Sequence, residues 1–144
     1  MRRRVGVAAL FVVLGLAACA AEPETPPDPD LEAGRETYGR LCSVCHGGSG
    51  EGAVGPALSA VVATFPDCET QLQWISLGSA RWRTEVSPTY GTQESGITGA
   101  MPSFEPTLTE TQIRQVAAFE RTRYGGSDEN AALMACGLRV RRET

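Results

Sequence analysis

Residues 42–46 read Cys42-Ser43-Val44-Cys45-His46 and run on into Gly47-Gly48. Two thiols three positions apart can each add to one vinyl group of a haem, and a histidine directly after the second then lies beneath the iron as its proximal ligand. The pentapeptide therefore reads as a c-type haem attachment site, with Cys42 and Cys45 as anchors and His46 as iron ligand. A Cys-x-x-Cys can also be a thioredoxin-like redox pair or half of a zinc site. Neither suits a chain with no second such pair and one histidine in 144 residues. A single imidazole also excludes bis-histidine ligation of a haem.

Upstream of the motif, Leu31, Gly34, Tyr38 and Leu41 recur at helical spacing, which predicts a helix from Leu31 to about Cys42. Before it lies Ala20 to Asp30, where Pro23, Pro26, Pro27 and Pro29 alternate with acidic residues. Such a segment is an extended, solvated spacer, and residues 19–30 read as a tether. Further upstream, Arg2, Arg3 and Arg4 precede an uncharged stretch from Val5 to Leu16, shorter than the roughly 20 residues of a spanning helix. This is the pattern of a secretory signal peptide over residues 1–18. Its end, Leu16-Ala17-Ala18-Cys19, resembles the lipobox of bacterial lipoproteins, which implies a lipid on Cys19 and a place on the extracytoplasmic face of the cell membrane. An ordinary signal peptide with a chance cysteine, or an uncleaved anchor reaching Ala21, are the alternatives, and both also put the domain outside the cytoplasm.

At 144 residues, with 42% hydrophobic and 21% charged side chains, the chain suits one globular domain and excludes a multi-domain enzyme. All 13 positive charges are arginines, and loss of Arg2 to Arg4 with the leader takes the net charge from −4 to −7. That balance argues against nucleic acid as a partner and against direct adsorption to anionic lipid.

From Leu31 to Gly126 the chain resembles the class I cytochromes c. Gly34 and Tyr38 look like the glycine and aromatic that the family carries one turn apart before its haem motif, and Gly55-Pro56-Ala57-Leu58 is similar to the family's Gly-Pro-x-Leu. The resemblance implies an all-α cytochrome c fold of three core helices around one covalent haem c. It also implies that the Pro56 carbonyl accepts a hydrogen bond from His46 Nδ1, that Leu58 packs on the haem, and that Val116 and Phe119 cross Gly34 and Tyr38. Such a bond to a ligating histidine orients the ring and raises its basicity.

With no second histidine, the other axial ligand is expected to be a methionine, and past the leader only Met101 and Met134 remain. Met101 stands in Gly99-Ala100-Met101-Pro102, which resembles the family's axial Met-Pro loop, where proline suits a non-helical backbone. Met134 lies in the apolar run Ala131-Ala132-Leu133-Met134 and reads as a core residue. A middle helix is expected from Pro66 or Asp67 to Gly78, and a last helix from Thr109, boxed by Gln112, to Gly125-Gly126.

Ser79 to Ala100 reads as a long loop in which Arg81, Trp82 and Arg83 reach a haem propionate or a partner, or simply fold over the methionine side. Residues 127–144 form a C-terminal extension with a short helix capped by Ser127 or Asp128. With Cys19, Cys42 and Cys45 assigned, Cys68 and Cys136 remain for a disulfide, worth roughly 4 kcal/mol in the chain-entropy account, or stand as two free thiols.

A haem iron held on both sides by protein has no open position, so single-electron transfer is expected rather than catalysis. The expected role is a lipid-tethered carrier in a respiratory chain, between a quinol-cytochrome c reductase and a terminal oxidase, or the same chemistry as a fixed oxidase subunit. The alternative is a haem-based sensor or peroxidase-like enzyme in which Met101 dissociates to admit a ligand.

Overall fold

The computed structural model describes residues 26–94, 96–97 and 99–139. The leader over 1–18, Cys19 and most of the tether lie outside these residues. Among the described residues the elements are helices without strands: α1 (Pro29–Thr37), a π-helical segment (Tyr38–Cys42), α2 (Ser43–His46), α3 (Val61–Thr64), α4 (Cys68–Glu85), α5 (Glu110–Arg123) and α6 (Glu129–Ala135). This is the expected all-α architecture. None of these helices is long and apolar enough to cross a membrane.

The first helical run starts at Pro29, two residues ahead of the expected Leu31. Asp28 caps it, its carboxylate accepting from Asp30 N at 2.8 Å, and Pro29 occupies a first-turn position that needs no donor. The run continues through Tyr38–Cys42, where the wider π turn inserts one residue's offset just before the haem motif; π turns are frequent at functional sites. The last helix forms as expected, with Thr109 Oγ1 accepting from Gln112 N and Gln112 Oε1 accepting from Thr109 N.

The α1–α5 crossing is the tightest joint. A Cβ on Gly34 would lie 2.2 Å from the Gln115 carbonyl oxygen and 2.8 Å from Phe119 Cβ, so no larger residue fits there without moving backbone. One turn on, the Tyr38 ring packs on Phe119 at 5.7 Å and on Tyr124 at 5.0 Å. Phe119 thus meets both residues as expected, but the backbone that Gly34 touches is that of Gln115. Val116 is fully buried beside them. A second aromatic group, Phe65, Trp74, Trp82 and Tyr90, packs along α4, with Trp74 and Tyr90 stacked at 4.7 Å.

The middle helix differs from expectation. Gly78 does break the helix, with φ 65° and ψ 176° in a backbone region that is essentially glycine's own, but the chain resumes helical turns and continues to Glu85. A helix broken at Gly78 leaves carbonyls exposed, and the 101–105 segment supplies their donors from far along the chain. Ser103 Oγ donates to Ser76 O at 2.6 Å, Phe104 N to Ile75 O at 3.2 Å, and Glu105 N to Ser76 O at 3.2 Å. The expected loop over Ser79–Ala100 is therefore helix for its first third.

The described residues in the remainder of that segment are pinned at several points. Thr92 N donates to Thr64 O at 2.8 Å, Trp82 Nε1 donates to Thr89 O at 2.7 Å, and Ile97 is buried. Arg81 pairs with Glu85 and Glu105, Trp82 is buried, and Arg83 donates to Ile97 O. Arg81 and Arg83 are thus engaged within the chain, and Trp82 is core.

In the C-terminal extension, Asp128 caps α6 by accepting from Ala131 N at 3.0 Å. Cys136, just past its end, is disulfide-bonded to Cys68 at the start of α4, with the two Cα atoms 5.2 Å apart. That bond sets which face of α6 points inward: Ala132, Leu133 and Cys136 are buried, and Met134 is 63% exposed. The expectation of Met134 as a core residue is therefore corrected. In a two-turn helix with four apolar residues in a row, the pattern alone does not say which face is covered.

Candidate functional site

Cys42 closes the π segment, and Cys45 and His46 lie on the single turn of α2. The last carbonyls of a helix lack intrahelical donors. Here the 47–58 loop folds back to satisfy them: Gly55 N donates to Cys45 O at 2.8 Å and Gly52 N to His46 O at 2.8 Å. Tyr38 Oη donates to Gly47 O at 2.6 Å from the helix side, and Leu58 N to Gly50 O at 2.8 Å from the loop side. The loop thereby delivers the Pro56 carbonyl to 2.8 Å from His46 Nδ1. A carbonyl only accepts, so Nδ1 carries the proton in this contact and Nε2 is the ring's free lone pair.

The two thiols are not bonded to each other, although the same chain holds a disulfide elsewhere. Cys42 is buried and Cys45 half-buried. Burial pushes the Cys42 thiol up to about 12, and the Glu120 carboxyl and Cys45 push in the same direction, so it is a neutral thiol at physiological pH.

Met101 is held by a separate part of the fold. Its N–H donates to Ser79 Oγ at 3.1 Å, and its carbonyl accepts from Ser79 N at 2.9 Å. These bonds are possible because Gly78 has no side chain: a Cβ there would stand 2.5 Å from the Pro102 carbonyl carbon and 2.6 Å from Met101 O. The kink in α4 is thus the notch that seats the methionine loop. Met101 is half-buried and packs on the same core as Cys42 and Leu58, whereas Met134 faces outward.

A family model described as cytochrome c oxidase, cbb3-type, subunit III, matches residues 29–119. The chain belongs to this family. Its members are class I, monohaem c-type cytochromes, so the domain is a haem-binding electron-transfer module. The donor set of this cytochrome fits a haem: two unpaired thiols, one imidazole with a free nitrogen, and one thioether on a pinned loop.

Three buried polar residues next to the site escaped the sequence reading. Glu120 on α5 is 6% exposed, and Gln71 Nε2 on α4 donates to its Oε2 at 2.9 Å. The other end of Gln71, Oε1, accepts from Arg121 Nη1 at 3.1 Å; Arg121 also donates to the Phe65 and Pro66 carbonyls, and its Nε has no partner. A signal for Glu120 was present, because Ile113, Val116 and Ala117 set the covered face of α5 and Glu120 falls on that face.

Gly78→Ala is expected to lower the stability of the haem-loaded protein by more than the roughly 1–3 kcal/mol that this glycine-only backbone region costs an ordinary residue, because the new methyl also meets backbone. Urea denaturation measures it. Gly99→Ala, where nothing lies within 4 Å, is the control and should leave the midpoint unchanged.

Proposed function

We propose that Cys42 and Cys45 would hold one haem through thioether bonds, with His46 and Met101 as the residues that would ligate its iron, and that this cytochrome carries single electrons on the extracytoplasmic face of the cell membrane, tethered by a lipid on Cys19. The observation that carries the haem assignment is the His46 ring, held through Nδ1 with Nε2 left free beside two unpaired thiols. When bound, the haem supplies a ferric/ferrous couple. The chain's own residues do the rest. Pro56 orients the imidazole and strengthens it as a donor. Ser79 holds the Met101 backbone at both its N–H and its carbonyl, so that the thioether has a defined position. Leu58 and the Tyr38 group keep water from the interior. Ligation by one histidine and one methionine raises the potential of a haem and leaves no open position on the iron, which suits outer-sphere transfer to a protein partner rather than substrate chemistry.

The disulfide supports an oxidising compartment, as the leader pattern does. The donor on this reading is a quinol-oxidising complex such as a quinol-cytochrome c reductase, and the acceptor is a terminal oxidase. The family's description names an oxidase subunit, which favours the second form of the reading, a cytochrome lodged in an oxidase complex. Stoichiometric co-purification with the oxidase distinguishes that from a free carrier, whose contact area is typically below about 1,200 Å².

The oxidised protein is expected to show the weak far-red band of methionine bound to ferric haem. Met101→Ala should abolish it and Met134→Ala should leave it intact; retention in Met101→Ala overturns the ligand assignment. Growth with a tagged fatty acid should label the wild type, and Cys19→Ala should lose the label and partition to the soluble fraction. An unlabelled, freely soluble wild-type protein would sink the tether.

A further inference from the structure

Glu120 lies on the covered face of α5, where the neighbouring covered residues are the apolar Ile113, Val116 and Ala117. A carboxylate in that position loses its hydration and needs compensation. It has one hydrogen bond, from the neutral amide of Gln71. The adjacent cation, Arg121, turns instead to the Phe65 and Pro66 carbonyls and to the far end of Gln71, and it donates nothing to Glu120. Burial accordingly pushes the Glu120 acid up to about 8, into the range where small fields decide its charge.

The surroundings leave Glu120 as the group that titrates near neutrality. From the π segment, Tyr38 and Cys42 face it, and from the end of α5, Tyr124 does; all three are raised above their ordinary values and stay neutral. On the α4 side the neighbour is the neutral Gln71, while Asp67 acts on Arg121. The Cys42 sulfur feels the Glu120 charge directly, and on the reading above that same sulfur is bonded to the haem.

We propose that Glu120 is a redox-linked proton site: when a partner delivers one electron and the iron passes from ferric to ferrous, the Glu120 carboxylate takes one proton from solvent and becomes the acid, and reoxidation releases both. The inference rests on haem attachment at Cys42. Reduction would remove one positive charge from the haem that Cys42 anchors, within the field that Cys42 and Glu120 share, which makes the charged carboxylate less favourable. By linkage, the proton must favour the reduced state as strongly as the electron favours the protonated one. Glu120 thus couples the charge of the haem to proton uptake in a part of the core where the neighbouring guanidinium, Arg121, is held by other acceptors.

The test is redox titration of the haem-loaded protein from about pH 5 to about pH 10, which spans the range of buried carboxyls. The wild-type midpoint potential is expected to fall with rising pH through a step that Glu120→Gln lacks. A tenfold difference in proton affinity between the two redox states makes the total fall about 59 mV. Reduced-minus-oxidised infrared spectra should show a carboxylic acid band on reduction in the wild type and none in Glu120→Gln. Gln71→Met, which removes the donor that favours the carboxylate, should move the step to higher pH, and it serves if Glu120→Gln folds poorly. An unchanged step in Glu120→Gln, or no shift in Gln71→Met, overturns the proposal while an intact c-type spectrum leaves the haem reading standing. Absence of a c-type spectrum overturns both.

Discussion

The His46 ring has two nitrogens, and its use depends on which one the fold occupies. Nδ1 donates to the Pro56 carbonyl at 2.8 Å, which keeps the ring's proton on that side and leaves the other nitrogen as a lone pair with a set direction. That single contact needs the 47–58 loop to fold back on the end of α2, which in turn needs Gly52 and Gly55 to serve the helix's last carbonyls and Tyr38 to hold Gly47. Tyr38 is placed by the α1–α5 crossing, whose closeness depends on Gly34. The ring's orientation is therefore the end of a chain of contacts that begins at a helix joint and passes through one aromatic side chain.

The methionine side is built by different means. No local capping sequence presents Met101; the break in α4 does. A helix interrupted at Gly78 exposes carbonyls and opens room for backbone, and the 101–105 segment fills both needs at once. Because Ser79 binds the Met101 backbone at its N–H and its carbonyl, the thioether is positioned by main-chain geometry rather than by side-chain packing alone. Two rigid supports on separate elements leave little freedom for the groups between them, which suits a centre that must change charge without changing shape.

The parts legible in the sequence were those set by short-range chemistry. Cys42, Cys45 and His46, the Thr109–Gln112 box and the Gly34–Tyr38 pair each declare themselves within one or two helical turns. Gly78 was legible as a break but not as a break that the helix survives, because the donors that let it restart lie on Ser103, Phe104 and Glu105. The π turn at Tyr38–Cys42 leaves no trace in the residue pattern, since it shifts register by one residue and the apolar positions tolerate that. The outward face of Met134 follows from the bond between Cys68 and Cys136, a constraint between residues far apart in the chain. The Gln71–Glu120–Arg121 group is likewise a meeting of α4 with α5, visible only after the two helices have packed.

On the proposed reading these features serve one haem centre, and the covalent state of Cys42 and Cys45 tests it most directly. Digestion at arginine of protein matured by a cell that exports and loads c-type cytochromes, followed by mass spectrometry, isolates residues 41–81, which contain Cys42, Cys45 and His46 and stay joined through Cys68 to the peptide that holds Cys136. The expected result is that the 41–81 part of this linked pair carries the mass of a single haem, which acid extraction does not remove. The same peptide found unmodified, or with Cys42 and Cys45 joined to each other, would contradict it.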